Sequence, residues 1–518
     1  MTATTPGIQQ RVLGWPRQAC TSLRAAAARN RWFAVALTGG ALLRLITMIG
    51  FPGALWFAGD SYVYLGAALR PQPNLSKTTG YSLFLRMLLP FHSLTLVALS
   101  QHLMGLADAV MIYALLRRNG VSKKWSTIAT LPVLFDGFMI QDEHLIMAEA
   151  LFTFCVMLAL LLVLWSRKTS WWVALIGGLL LGYAGIVRTE GLVFLPIFPL
   201  FLLARGFRVY GWKKARAWIA AIVMAIGCVA PVLGYAFWFQ SYSGSFGLTL
   251  SQGYYLWGRV SSFADCAVIK PTGEQAVVCP KEPIVKRTAP GNFIWHAPEV
   301  HKDIPGGTPV NAANNKLLTD FAIHAVEAQP LGYAKTVVHG LIMSVEPTRH
   351  DYPGTGTVYY YYFHRHPLPI PYHSWIKGGY ANQDWVTYGH AKAGVVVEPF
   401  AAFMIGYQRV FYTWGPLFGI IMLVGLGGRL KVRRPRDWRA RRGQRPVYWV
   451  ARGTSMFPWA VAVIMLVTPI AIADFDYRYL LPVLPFACLA AGLAFAPLRA
   501  AAAPVPQEEE RAESMASK

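Results

Sequence analysis

The stretch WFAVALTGGALLRLITMIGFPGALWFAGDSY, residues 32–62, decides the fold. Its first part, 32–50, is apolar over the roughly twenty residues that a helix needs to cross a bilayer. Arg11, Arg17, Arg24, Arg29 and Arg31 precede it, an order superficially like that of a signal peptide. The apolar part is too long for that and runs into Phe51-Pro52-Gly53 with no small-residue cleavage pattern, so a retained first helix is expected. The chain then turns polar at Gly59-Asp60-Ser61-Tyr62, which sets a carboxylate just beyond the end of a membrane helix.

The rest of the composition agrees with a lipid solvent. Of 518 residues 55% are hydrophobic and 14% charged, and the mean hydropathy is +0.37; soluble chains carry nearer a quarter charged residues. A net charge of +23 and a pI of about 9.8 raise the question of nucleic acid. The basic residues, however, fall between apolar stretches, which is what the positive-inside rule produces, so no nucleic-acid partner is expected.

Hydropathy lays out about ten spans: 32–50, 93–116, 125–140, 145–165, 171–187, 191–204, 218–239, 411–428, 456–473 and 479–496. The expected fold is therefore an all-α polytopic membrane protein with a large irregular non-cytoplasmic loop. Lys and Arg concentrate at Arg117 to Lys124, Arg205 to Arg216 and Arg429 to Arg445, which places those loops and both termini in the cytoplasm. The domain reading is a basic cytoplasmic segment 1–31, spans within 32–239 with a first outer loop 51–91, the large outer loop 240–405, further spans within 406–497 around a basic loop 429–452, and a cytoplasmic tail 498–518. Membrane lipids are the obligatory surroundings, and the residues 81–89 have the amphipathic pattern of an interfacial helix. In the long loop, 312–328 reads as a helix and 333–345 as a second, membrane-surface one.

Cys155, Cys228 and Cys488 lie in apolar spans and Cys20 in the basic N-terminal segment. Cys266 and Cys279 lie together in the outer loop, where two lone cysteines on an oxidising side read as a disulfide; a metal site would need two more ligands. The loop histidines 296, 301, 350, 364, 366 and 373 have no ligand spacing and are read as solvated surface.

Charges at the mouths of membrane helices are functional candidates because they are costly there. Four clusters fall on the same outer face: Asp60; Asp142, Glu143, His144 and Glu149; Arg188 with Glu190; and Asp474, Asp476 and Arg478. Carboxylates can remove a proton and guanidinium groups can grip a phosphate by two hydrogen bonds. Each has a plainer reading: Asp60 as a helix N-cap before Ser61, Arg188 and Arg478 as snorkelling side chains. The spacing within 143–149 does not put Glu143, His144 and Glu149 on one helical stripe, so no preformed metal site is expected from that segment. One of its acids is expected to complete the site, with Glu143 taken ahead of Asp142.

An acid in the first outer loop followed by Thr79-Gly80-Tyr81-Ser82-Leu83 resembles the GT-C superfamily of membrane glycosyltransferases. So do Glu143-His144-Leu145-Ile146-Met147-Ala148-Glu149, Arg188-Thr189-Glu190-Gly191-Leu192 and Asp476-Tyr477-Arg478-Tyr479-Leu480-Leu481-Pro482, which look like helix-end motifs of its lipid-carrier-dependent branch. That branch includes protein O-mannosyltransferases, aminoarabinose transferases and arabinofuranosyltransferases. The resemblance covers about residues 30–205 and 455–497 and matches the long loop in placement only.

It implies an enzyme that moves a hexosyl or pentosyl group from a polyprenyl-phosphate donor to a glycan, lipid or protein acceptor of the cell envelope, on the outer face of the plasma membrane. Asp60 and Glu143 would be its catalytic acids, Arg188 and Arg478 its donor-phosphate ligands, and Tyr81, Asp142, His144, Glu149, Glu190, Asp474 and Asp476 supporting groups. Many relatives carry paired acids in the first loop, whereas Ser61 follows Asp60 here, which leaves a divalent metal ion open. The competing class is a transporter or flippase of lipid-linked sugars. It would place its charges near the bilayer midplane on broken helices, and no internal repeat of the kind that builds many transporters stands out.

Overall fold

A computed structural model describes residues 27–57, 59–166, 168–370, 379–390, 394–427 and 452–496. Among these every regular element is helical, and the one β pairing is an isolated parallel bridge between Leu55 and Leu145. Five helices are long and apolar enough to cross a membrane: Arg31–Gly50, Leu94–Arg118, Thr189–Tyr210, Ala215–Ser243 and Ser455–Ile472. Phe400–Val410 and Gly415–Gly427 meet at a 60° bend, the geometry of a broken span or a re-entrant loop, and Glu149–Trp165, Trp171–Val187 and Tyr477–Leu493 are shorter apolar helices. The chain is an all-α, multi-pass membrane protein.

One expected span is not a single helix. The 125–140 stretch divides into Lys123–Ile128, Leu131–Phe135 and Gly137–Asp142. Pro132 starts the second piece, and Asp136 starts the third by accepting hydrogen bonds from the Phe138 and Met139 amides at 2.8 and 3.1 Å. A proline and an aspartate cap interrupt the ladder that hydropathy alone reads as continuous.

The helices pack through small residues, as membrane helices do when lipid offers no hydrophobic gain. A Cβ on Gly178 would lie 2.3 Å from the Met224 carbonyl, and one on Gly182 would lie 2.4 Å from that of Cys228. Trp171–Val187 and Ala215–Ser243 thus touch backbone to backbone. This close approach fixes the end of Trp171–Val187, and with it Arg188, relative to the rest of the bundle.

The long loop contains ordered helices. Gln252–Ser261 packs on Ala312–Ala328, the helix expected there, around a separate core with Trp257 and Phe321 fully buried. The second expected loop helix is Pro330–Met343. Cys266 and Cys279 are disulfide-bonded, while Cys155, Cys228 and Cys488 are free and buried. Cys20, His373, the cluster Arg429 to Arg445 and the tail 498–518 lie outside the described residues.

Candidate active site

Asp60 follows Gly59, whose φ of +93° turns the chain sharply before the helix Ser61–Leu69. It occupies the N-cap position, yet its side chain makes no capping bond. The carboxylate instead meets Lys77 Nζ on one oxygen and Arg478 Nη1, at 2.8 Å, on the other. Arg478 lies in the short 3₁₀ turn Tyr477–Tyr479, which starts because Asp476 accepts the Arg478 amide at 3.0 Å. The same Asp476 lies 3.3 Å from Arg478 Nε and accepts a hydrogen bond from the Tyr361 hydroxyl.

Glu149 opens the helix Glu149–Trp165 and joins the two arginines, being in contact with Arg188 and 3.9 Å from Arg478 Nη1. Arg188, at the end of Trp171–Val187, also donates to Glu190 at 3.0 Å. Aromatic faces enclose the cations: Arg478 lies 5.2 Å from the Phe57 ring and 5.3 Å from that of Tyr479, and Lys77 5.7 Å from Tyr64. Three cations and four carboxylates from the ends of separate helices therefore form one chain of contacts.

That chain is incomplete in a specific way. Glu149 Oε2 is buried without a hydrogen-bond partner, and Arg478 Nε makes no hydrogen bond beyond its 3.3 Å ion pair with Asp476. Buried polar groups are nearly always satisfied, so an open valence at a cluster of charge marks a place prepared for a ligand. Burial pulls the Lys77 ammonium down to about 7, and Arg478 adds to the effect. The Asp60 carboxylate in contact with it works the other way, favouring the charged form. Burial also lifts the Asp476 carboxyl above its usual range against the pull of Arg478.

The expected site residues divide. Asp60, Glu149, Arg188, Glu190, Asp476 and Arg478 come together. Glu143 does not. It is bound by Arg44, whose Nη2 and Nε lie 2.6 and 2.7 Å from its two oxygens, and by His102 Nδ1 at 2.8 Å. His144 continues that network, 2.9 Å from His102 Nε2 and 2.8 Å from the Phe51 carbonyl, so it holds the entry of the first loop. The choice of Glu143 over Asp142 is corrected: with its oxygens committed to Arg44 and His102 inside the bundle, Glu143 has no free face for a substrate. Asp474 stands apart from this chain of contacts. It accepts from Tyr352 at 2.6 Å and from the Gly291 amide at 2.8 Å, tying the long loop down without orienting Arg478. Burial lifts its carboxyl to about 6. Tyr81 is fully buried and donates to Gln101 at 2.7 Å, a packing role.

Asp142 lies in a cleft of about 340 Å³ with Arg478, Arg349, Tyr361 and Phe57. Burial, with Glu149 next, lifts its carboxyl well above the usual carboxylate range. Arg349 is held there by cation–π contacts with Phe138, Tyr412 and Tyr477 at 3.9, 4.9 and 5.1 Å. Lys77, Arg349 and Tyr361 were not singled out from sequence. Lys77 could have been, as the one lysine of the 51–91 loop, two residues before Thr79-Gly80-Tyr81; Arg349 and Tyr361 carry no local signal. Asp60 faces two cations, and no group of three His, Cys, Asp or Glu side chains converges among the described residues.

Residues 74–242 match the family of dolichyl-phosphate-mannose-protein mannosyltransferases. The matched stretch carries Lys77, Glu149, Arg188 and Glu190, and the chain's likeness to GT-C membrane glycosyltransferases is thus seen both in its motifs and in this match. Among solved structures, the chain is similar to the S. cerevisiae protein O-mannosyltransferase Pmt1-Pmt2 complex bound to the sugar donor, at 13% identity and a TM-score of 0.35 over 45% of this chain and 36% of that one. It is also similar to an Archaeoglobus fulgidus oligosaccharyltransferase in the apo form, at 12% identity and a TM-score of 0.41 over 90% of this chain. The chain spans half the length of the archaeal protein. No curated protein matches it in sequence.

Proposed function

We propose that the protein is a membrane glycosyltransferase that takes a sugar from a polyprenyl-phosphate donor and passes it to a cell-envelope acceptor at the outer face of the plasma membrane. The observation that carries the reading is the Asp60–Arg478 contact of 2.8 Å, between residues 418 apart in sequence, inside a buried cluster of three cations.

The chemistry follows from the arrangement. As the acceptor oxygen bonds to the anomeric carbon, the bond from that carbon to the phosphate oxygen breaks and the lipid phosphate leaves with the electron pair. Arg478, Lys77 and Arg188 are placed to hold that anion, and preorganised cations in a water-poor pocket stabilise developing charge strongly. A donor phosphate competes with Asp60 for Lys77 and Arg478. Once displaced from them, the carboxylate is free to take the proton from the acceptor hydroxyl. Glu149 and Asp476 keep the guanidinium groups aimed.

Purified protein incubated with a panel of radiolabelled polyprenyl-phosphate sugars and envelope extract should transfer label from one donor, and Asp60→Asn should reduce transfer by about 10²- to 10⁴-fold, the usual worth of a positioned general base. Transfer by the variant at the wild-type rate would remove Asp60 from the reaction. Donor crossing a vesicle bilayer unconsumed would replace the enzyme by a transporter.

A further inference from the structure

A second cleft, of about 530 Å³, lies beside the first and shares Gln141 and Leu145 with it as a common wall. Its lining includes Trp56, Trp385, Tyr360, Tyr362, His364 and His366. The segment before Asp60 runs between the two clefts, with Trp56 lining the second and Phe57 the first.

Trp56 and Trp385 are 3% and 4% exposed, and the indole N–H of each is buried with no hydrogen-bond partner. A buried tryptophan ordinarily finds an acceptor for this group. Leaving one unpaired costs about 1–3 kcal/mol, so two on one cleft mark a ligand that supplies acceptors. The rings meet edge to face, 5.9 Å between centroids. Trp385 is fixed by its neighbour Asp384, which takes a two-pronged ion pair from Arg70 at 2.7 and 2.6 Å and so clamps the helix Ala381–Gly389 onto the first outer loop.

We propose that this cleft binds the acceptor and that the acceptor end it takes is carbohydrate, an inference that rests on the glycosyltransferase reading. Sugar rings present C–H faces that pack on aromatic side chains, and their hydroxyl and ring oxygens accept from N–H groups such as these buried indoles. A polyprenyl chain offers no acceptor to either indole. A peptide backbone also offers carbonyl acceptors, but it lacks the C–H ring face that the aromatic lining of this cleft matches. The shared wall at Gln141 and Leu145 brings a bound sugar beside the cleft that holds Arg478.

The test uses the full-length protein in lipid nanodiscs with three probes: short neutral oligosaccharides of mannan, arabinan and glucan type, a Ser/Thr-rich peptide, and sugar-free polyprenyl phosphate. Saturation-transfer NMR should detect an oligosaccharide on the wild type. Trp56→Phe and Trp385→Phe keep the ring and delete the N–H, and each should weaken that binding by about threefold to tenfold. They should raise the acceptor KM by a similar factor and leave the donor KM alone. A photoreactive form of the same oligosaccharide should label Trp56 or the 360–366 segment. The proposal is overturned if no oligosaccharide binds, if the peptide or the polyprenyl phosphate protects the labelled segment instead, or if both Phe variants bind as the wild type does. Asp60→Asn separates the two readings: it should bind oligosaccharide normally, so transfer surviving in it sinks the role of Asp60, while normal binding by the tryptophan variants sinks only the sugar cleft.

Discussion

The buried charge around Glu143 and the buried charge around Asp60 are built differently. Around Glu143, Arg44 is 2% exposed and uses Nη2 and Nε on the carboxylate and its remaining N–H groups on the Gly40, Leu134 and Val133 carbonyls. His102 and His144 carry the network on to the Phe51 backbone, and both oxygens of the Glu143 carboxylate are occupied. Around Asp60, the contacts are as short, but Glu149 Oε2 is left open and aromatic faces stand in for polar partners. A closed network fixes geometry; an open one keeps free energy available for a ligand. The same residue types thus do two jobs, and what separates them is whether the last hydrogen-bonding positions are filled from within the chain.

The widest separation between the two groups should come from Glu143→Ala. It strands Arg44 inside the bundle and is expected to cost about 3–5 kcal/mol of stability, the usual loss when half of a buried ion pair is removed, seen as a large fall in melting temperature in detergent. A melting point within a degree or two of wild type would show that this network is not structural. Arg478→Gln is the counterpart at the open group. Turnover should fall about 10²- to 10³-fold, in line with loss of one charge-stabilising donor, with little change in melting. Equal losses of stability in both variants would erase the distinction drawn here.

A finer probe is Gly105→Ala. A Cβ there would lie 1.9 Å from Glu143 Oε1, which Arg44 holds in place, so overpacking should cost about 1–3 kcal/mol of stability while donor affinity is kept. The smallest effect is on pH. Lys77 has its proton affinity lowered to about 7, so it is charged below that pH and neutral above it. Binding of inorganic sulfate, whose charge does not change over this range, should therefore weaken by about tenfold between pH 6 and pH 8.5, roughly the worth of one charge-assisted contact. Lys77→Arg should flatten that profile, since guanidinium stays protonated throughout. The sign for folding is opposite: the lowered value means that folding releases a proton, so this group's contribution to stability rises between about pH 7 and its ordinary value of 10.5.

Much of the fold was legible. Apolar length gave the helices, and the periodicity of 312–328 gave the loop helix Ala312–Ala328. The broken third span escaped because hydropathy averages over Pro132 and the Asp136 cap, whose effects are local and geometric. In the site, Asp60 and Arg478 were readable because ionisable groups at helix ends stand out against apolar surroundings. Glu143 and Glu149 could not be ranked on the same grounds. Both are acids around the start of the same expected span, and only the positions of Arg44 and Arg188, on other helices, assign one to the scaffold and the other to the mouth.

The sequence by itself determined the solvent of this chain, the approximate course of its helices and the set of charges gathered at their ends, because the cost of burying polarity in lipid is written residue by residue. The tertiary structure alone decided which of those charges meet, which valences stay open, and that Trp56 and Trp385 face one cleft. Those facts depend on contacts between residues hundreds of positions apart, fixed by backbone approach at small residues such as Gly178 and Gly182. No local pattern encodes them.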